Sequence, residues 1–413
     1  MLNMHQESHI VDINNFAAKA GWEDTTVEKI APYWQELCNN TDHNVPFFAE
    51  YDFYSKALEM AGAATEEILS RIAGVAAILK KEKDLARFAA MLHYGFFLSP
   101  TLPPLGELPE ADKFFGTNSG IFQLLIALSS LPIIRKKYAQ MGVPEEFVRG
   151  AAAWIGGTVP IYAAAHKGVP GHSREQTFWL RFHADGKLFR IGRLEFLADT
   201  IPEWMPAVYV DTVTGETAVL ARDQWRYDAN GWRCLFLSTP AVFTASLRTS
   251  NGFVYGTAIN GNGIPATDKT VALDLKRWQP LCSPWDIIPT VHIPGGGGLT
   301  RDKVKESITE AFSFFRKYLN TEVKAFVCNS WLLNTEWQQE LPGSNIALFQ
   351  QTGIMCSQEI SANSGLFFVY GSNSADPLQE PAPTSLHKAF RNLAANGKCL
   401  RNGVAMFLPT CEQ

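Results

Sequence analysis

The hydrophobic period of this chain changes once, near residues 165–175, and that change restricts the fold more than any other feature. Before it, apolar residues recur at helical intervals. Within residues 64–81, Ile68, Ile72, Val75 and Ile78 fall at spacings of four, three and three, which is one face of a helix. Residues 84–97 continue with Leu85, Phe88, Leu92 and Phe96, and residues 47–61 mix the same spacings. A proline-rich stretch, 99–109, interrupts the pattern. Residues 122–138 and 144–154 predict two more helices, the second opened by Pro144 and two glutamates, which suit a helix N-terminus.

After the change, short apolar runs alternate with turn signals. Segments 178–182 and 188–197 flank Ala184-Asp185-Gly186, and segments 208–213 and 217–220 flank Gly215. Residues 253–259 and 270–275 extend this β-rich part. Helix returns at 301–319, where Val304, Ile308, Phe312, Phe315 and Leu319 form an apolar stripe. Residues 325–333 read as a buried strand, 335–341 as a short helix, 385–395 as a helix, and 346–350, 366–370 and 404–408 as strands. The order predicts an α+β protein with a helical domain over 1–168 and a mixed domain over 169–413.

Length agrees, because 413 residues exceed what one core usually organises. With 46% hydrophobic and 19% charged residues the balance is globular. A net charge of −5 without a basic block argues against a nucleic-acid partner. Seven scattered cysteines without a C-x-x-C pair read as reduced thiols, and the N-terminus lacks a basic patch followed by an apolar core, so the expectation is a cytoplasmic protein. Two apolar stretches, 121–134 and 151–165, fall short of the roughly 20 residues that cross a bilayer and are expected to be buried helices, not membrane spans.

The most informative segment is 287–319. It reads as a strand, then Pro294, Gly295, Gly296, Gly297, Gly298, Leu299 and Thr300, then the amphipathic helix. Glycines tolerate positive φ and let a backbone approach a ligand closely. The N–H groups at the helix start then suit an anion such as a pyrophosphate. Thr300 is a good N-cap and Asp302 lies in the first turn. The run is either a flexible loop or an anion cradle. It is not a P-loop, since no Gly-Lys-Ser/Thr follows, and Thr300 occupies the third glycine position of a dinucleotide fingerprint. The nine histidines are dispersed and no H-E-x-x-H occurs, so no metal is expected.

Four motifs carry a family resemblance. Phe189-Arg-Ile-Gly-Arg-Leu-Glu-Phe196, Val291-His-Ile-Pro-Gly-Gly-Gly-Gly-Leu-Thr300, Asn329-Ser-Trp-Leu-Leu-Asn334 and Leu341-Pro-Gly-Ser-Asn-Ile346 resemble a bacterial family of acyltransferase-domain proteins. That family joins an N-terminal helical domain to a GNAT-like C-terminal domain. The resemblance runs from about residue 85 to the end and is strongest between 178 and 350. It implies a GNAT-like mixed β-sheet flanked by helices and acyl-CoA as co-substrate. The pantetheine would lie where the strand at 287–293 splays from the strand at 325–333. The pyrophosphate would rest on Ile293, Gly295, Gly296, Gly297, Gly298, Leu299 and Thr300, with Asn334 near the cofactor. Two departures stand out: the usual loop begins with Gln or Arg, whereas His292-Ile293-Pro294 stands here, and the general-acid tyrosine is missing from 335–351.

Transfer to an amine needs a base and donors for the thioester oxygen. His292 is the leading base, since Val291 and Ile293 alternate with it; the other reading is a histidine satisfied by a backbone carbonyl. Glu195, between Leu194 and Phe196, is the second candidate, unless Arg190 or Arg193 ties it up in a structural ion pair. The expected activity is acyl-CoA-dependent N-acyl transfer to a small-molecule or amine acceptor. The alternative is a non-catalytic acyl-CoA-binding or scaffold protein of the same fold.

Overall fold

The computed structural model describes residues 12–41, 45–198, 204–283, 286–296 and 298–409. The chain divides into two compact units, Met1–Phe189 and Arg190–Gln413. The first is helical: α1 (Ile13–Ala20), α2 (Asp24–Asn39), α3 (Tyr51–Ala61), α4 (Glu66–Lys81), α5 (Lys83–Phe97), α6 (Asp112–Phe115), α7 (Ser119–Leu128), α8 (Leu131–Gln140), α9 (Glu145–Ala165) and α10 (Arg174–Ala184).

Helix α7 is the axis of this unit, with every residue from Ser119 to Leu128 buried. A helix apolar all round must be enclosed. Segment Asp112–Gln140 has the length and composition of a membrane span, yet most of its apolar window is covered by protein. The one side-chain amide of α7, Gln123, is satisfied inside: Nε2 donates to Thr177 Oγ1 at 2.7 Å and Oε1 accepts from Arg174 Nε at 3.3 Å. The stretch 151–165 also forms helix, continuing α9 through Pro160.

Helix α10 corrects one expectation. Residues 178–182 are not a strand. Ser173 accepts from the Gln176 N–H and the Gln176 side chain accepts from the Ser173 N–H, a capping box that starts a helix. Thr177, Leu180 and Ala184 then bury one face. Along the chain the division between the two units consequently falls after Phe189.

The second unit is built on a six-stranded sheet. Its strands are β1 (Leu188–Ile191), β2 (Leu194–Leu197), β11 (Thr290–His292), β12 (Phe326–Ser330), β13 (Ile354–Ile360) and β14 (Arg401–Phe407), in the order β1-β2-β11-β12-β14-β13. In this sheet β11 and β12 run parallel, whereas β11–β2, β12–β14 and β13–β14 are antiparallel. Residues 188–197 are thus a hairpin, turned at Gly192 with φ +57°, and not one strand. Between β2 and β11 lie β3 (Ala207–Asp211), β4 (Thr217–Leu220), β5 (Arg226–Tyr227), β6 (Phe243–Thr244), β7 (Leu247–Ser250), β8 (Phe253–Gly256), β9 (Val271–Asp274) and β10 (Trp278–Pro280). They make three small antiparallel sheets, β10-β3-β4, β7-β8-β9 and β5-β6.

The helices of this unit are α11 (Arg301–Leu319), α12 (Trp337–Glu340), α13 (Asn345–Phe349), α14 (Leu366–Tyr370) and α15 (Ser385–Ala395). Segments 346–350 and 366–370 are therefore helical, against expectation. Ser344 caps the first by accepting from the Ala347 N–H, and Gly365 and Gly371, both at positive φ, bracket the second. Strand β13 has no sequence signature, because all its interior positions are buried and polar residues interrupt any alternation.

One sheet face is an aromatic core. The Phe326 ring packs edge-on or tilted against Phe196 of β2 at 4.8 Å and against Phe312 and Phe315 of α11 at 4.5 and 5.7 Å between centroids. Phe326 has no solvent exposure. Phe326→Ala should destabilise the protein by about 3–5 kcal/mol, because the lost ring leaves a cavity that three neighbours cannot fill. Urea denaturation followed by circular dichroism checks this; a loss under about 1 kcal/mol would mean that α11 is held elsewhere.

Candidate functional site

Strands β11 and β12 pair at one position. Thr290 faces Val327, with the Val327 N–H donating to the Pro289 carbonyl at 3.1 Å, and among the described residues the ladder goes no further. Strand β12 meanwhile stays paired with β14 from Phe326↔Phe407 to Ser330↔Gly403. On its other side β11 stays paired with β2, up to His292↔Glu195. So the sheet opens between two strands that are each anchored on their outer edge. Main-chain groups along such an opening need partners from outside the sheet.

The chain leaves β11 into the glycine run at this same end. Gly295, Gly296 and Gly298 are exposed, and Gly296 and Gly298 adopt φ of +76° and +65°. A Cβ at either would meet nothing within 4 Å, so the run faces open space. Pro294 and Leu299 are buried and hold its ends, and Ile293 is half-buried. Gly297 lies outside the described residues. Thr300 stands at the N-cap with extended backbone, but its side chain makes no capping hydrogen bond. The start of a 19-residue helix is thereby left without its usual side-chain acceptor.

His292 and Glu195 are brought together. They face each other across the β2–β11 ladder, and directly opposed residues of an antiparallel pair project from the same face. Glu195 is buried and His292 half-buried. Thr290 Oγ1 lies 3.0 Å from His292 Nε2. Burial pushes the imidazole below its ordinary pKa, while the Glu195 charge pulls it partly back. At neutral pH His292 is thus an uncharged base with a carboxylate beside it. Arg193 feels the Glu195 charge, but its Nε donates to the Gly298 carbonyl at 2.9 Å.

The same face carries a second polar group that the sequence did not disclose. The registers of β12, β14 and β13 align Asn329, Val404 and Ser357, and Glu359 follows two residues on. Glu359 accepts from Asn329 Nδ2 at 3.2 Å and from Arg233 Nη1 at 2.7 Å. Arg233 also stacks on the Trp225 ring at 3.8 Å. Burial raises the Glu359 carboxyl and the Arg233 charge opposes that. Its one sequence trace is Asn329, first residue of a resembling motif; Glu359 sits on the strand without a pattern.

Other candidates fall elsewhere. Asn334 is not at the end of β12 but in the turn beyond it, wholly buried, with Oδ1 accepting from the Glu336 N–H and its carbonyl from Gln350 Nε2. Cys328 is on the aromatic face, fully buried, its thiol pushed up to about 12, which excludes a thiolate nucleophile. Among the described residues no cluster of three or more His, Cys, Asp or Glu could hold a metal ion.

Comparison with known proteins bears on this geometry. Residues 188–407 match the family described as GNAT-like C-terminal domain. The search of curated proteins returned no match. Among solved structures, the chain is similar to an acyltransferase in complex with decanoyl-CoA and teicoplanin, at 16% identity and a TM-score of 0.61, covering 96% of this chain and 99% of that one. It is also similar to an acyltransferase in complex with CoA and 10C-teicoplanin, at 16% identity and a TM-score of 0.62, with coverage of 96% and 99%. At this identity the likeness is one of fold.

The His292–Glu195 pairing makes a prediction that needs no ligand. The His292 imidazole should titrate below its ordinary value of 6.5, and Glu195→Gln should lower it further by removing the charge that favours imidazolium. NMR titration of the ring protons checks both. An upward move in the variant would show that Glu195 does not act on His292.

Proposed function

Because the chain belongs to the GNAT-like C-terminal domain family over residues 188–407, we propose that it is an acyltransferase that takes its acyl group from acyl-CoA and delivers it to an amine. The observation that carries this reading is the opening between β11 and β12, directly followed by the exposed glycine run and the uncapped start of α11. A pantetheine arm is an extended chain with amide groups, and the unpaired main-chain edges offer it strand-like hydrogen bonds. The diphosphate beyond it then meets backbone N–H groups at a helix start. The neighbouring folds with bound decanoyl-CoA support this donor, and the complexes with teicoplanin make a small molecule the first acceptor class to try.

The chemistry assigned to the site is short. His292, neutral at physiological pH, takes a proton from the acceptor nitrogen. That nitrogen attacks the thioester carbonyl, and N–H groups along the opened strand edge hold the oxyanion. The carbon–sulfur bond breaks as the carbon–nitrogen bond stays, and the departing thiolate takes up the proton from the imidazolium. Glu195 positions the ring and stabilises its charged form. No tyrosine is required if His292 returns the proton, which accommodates the absence of one from 335–351.

Thermal-shift titration with acyl-CoAs from acetyl to decanoyl tests the donor. Saturation at 100 times Kd should add about 2.7 kcal/mol of stability. No shift with any chain length at millimolar concentration would remove acyl-CoA as the ligand. Binding without thiol release, over a panel of amines, would favour the scaffold alternative instead.

The glycine run gives a separate check. Gly296→Val places a branched side chain at positive φ in otherwise open space. It should cost the fold only about 1–2 kcal/mol and weaken acyl-CoA binding at least about tenfold. Isothermal titration calorimetry measures the second; unchanged affinity would assign the glycines to loop flexibility alone.

A further inference from the structure

We propose that Arg193, on the turn between β1 and β2, is the cation that reads the diphosphate of the acyl donor at the glycine loop, in place of a charged residue in the loop itself. This rests on the donor assignment made above and adds a specificity-determining residue to it. The need for such a residue is plain from the loop. His292, Ile293 and Pro294 lead into it, and of these only the histidine is ionisable, with its pKa lowered by burial. Within the loop, backbone dipoles alone would then face a group bearing two negative charges, and the next cations along the chain, Arg301 and Lys303, are exposed on the first turn of α11.

Arg193 is delivered to that place by three constraints. Gly192 has φ +57°, and a Cβ there would lie 2.6 Å from Ser307 Oγ, so the turn sits tightly on α11. The Arg193 N–H donates to Ser307 Oγ at 2.7 Å, and that hydroxyl in turn donates to the Lys303 carbonyl at 2.8 Å. The β1–β2 hairpin is therefore fixed to the first two turns of the helix. The side chain then reaches the loop, where Nε donates to the Gly298 carbonyl at 2.9 Å.

What remains of the guanidinium is uncommitted. Nη1 is shut off from solvent and has no hydrogen-bond partner. Among the described residues Arg193 makes no ion pair; burial and the nearby Arg190 disfavour its charge, and the Glu195 charge offsets this only in part. A buried cationic N–H without an acceptor is costly, and an incoming phosphate oxygen removes that cost. A guanidinium held through Nε keeps its fork rigid, which suits a phosphate better than a lysine would. The competing role is purely structural: Arg193 would merely pin Gly298 in place.

Two ligands separate these roles: the acyl-CoA that binds best in the chain-length series, and the S-acyl-pantetheine with the same chain, which has no phosphate. Arg193→Met keeps the aliphatic stem and the backbone contact with Ser307. It should raise the Kd for acyl-CoA by about tenfold or more and leave that for S-acyl-pantetheine within about twofold, with Arg193→Lys in between for acyl-CoA. Equal loss for both ligands would make Arg193 a structural pin and overturn the proposal, as would unchanged acyl-CoA affinity in Arg193→Met. A wild-type protein that binds neither ligand would overturn the donor assignment itself, a different result from the loss of the variant alone. Melting temperatures of the variants, compared with wild type, show whether any loss reflects unfolding.

Discussion

A parallel strand pair that stops after one bridge leaves hydrogen-bonding groups that the sheet cannot satisfy, and this constraint organises the whole second unit. The outer anchorage makes it stable. Strand β12 is locked to β14 over five residue pairs, and β11 to β2 over three. Each strand is thus held in an extended conformation from its far side while its near side stays open. Neither strand can close the gap without breaking pairs already made. The opening therefore persists without any local unfolding of the strands that border it.

The two faces of the sheet divide the work. Phe196, Phe326, Phe312 and Phe315 bind α11 to one face and so fix where that helix begins. The other face collects Glu195, His292, Asn329 and Glu359 from four strands. Strand alternation makes this separation automatic, since residues two apart share a face. Packing on one side therefore sets the position of the glycine run, and chemistry on the other is arranged at the same strand ends. The β1–β2 turn links them through Ser307, a buried hydroxyl on α11 that accepts from the Arg193 N–H.

Much of this was legible without coordinates where a pattern had only one physical outcome. The stripe of Val304, Ile308, Phe312, Phe315 and Leu319 gave α11, and the run of glycines before it gave the strand-to-helix junction. Residues 346–350 and 366–370 misled, because a five-residue apolar run has no period of its own; Ser344 in one case and two positive-φ glycines in the other decided for helix. Residues 178–182 misled for the same reason, and the capping box at Ser173 and Gln176 settled it. Strand β13 stayed invisible because a strand buried on both faces does not alternate.

From its sequence alone the protein had its two textures, its glycine junction, and the identity of His292 and Glu195 as the odd polar residues among apolar neighbours, because these follow from periods and composition that are local to the chain. Tertiary structure decided that those two residues stand directly opposite one another, that β11 parts from β12, and that Arg193 crosses to Gly298. Each of these joins residues far apart along the backbone. Strand register and sheet order are cooperative properties of many pairings at once, and no local pattern contains them.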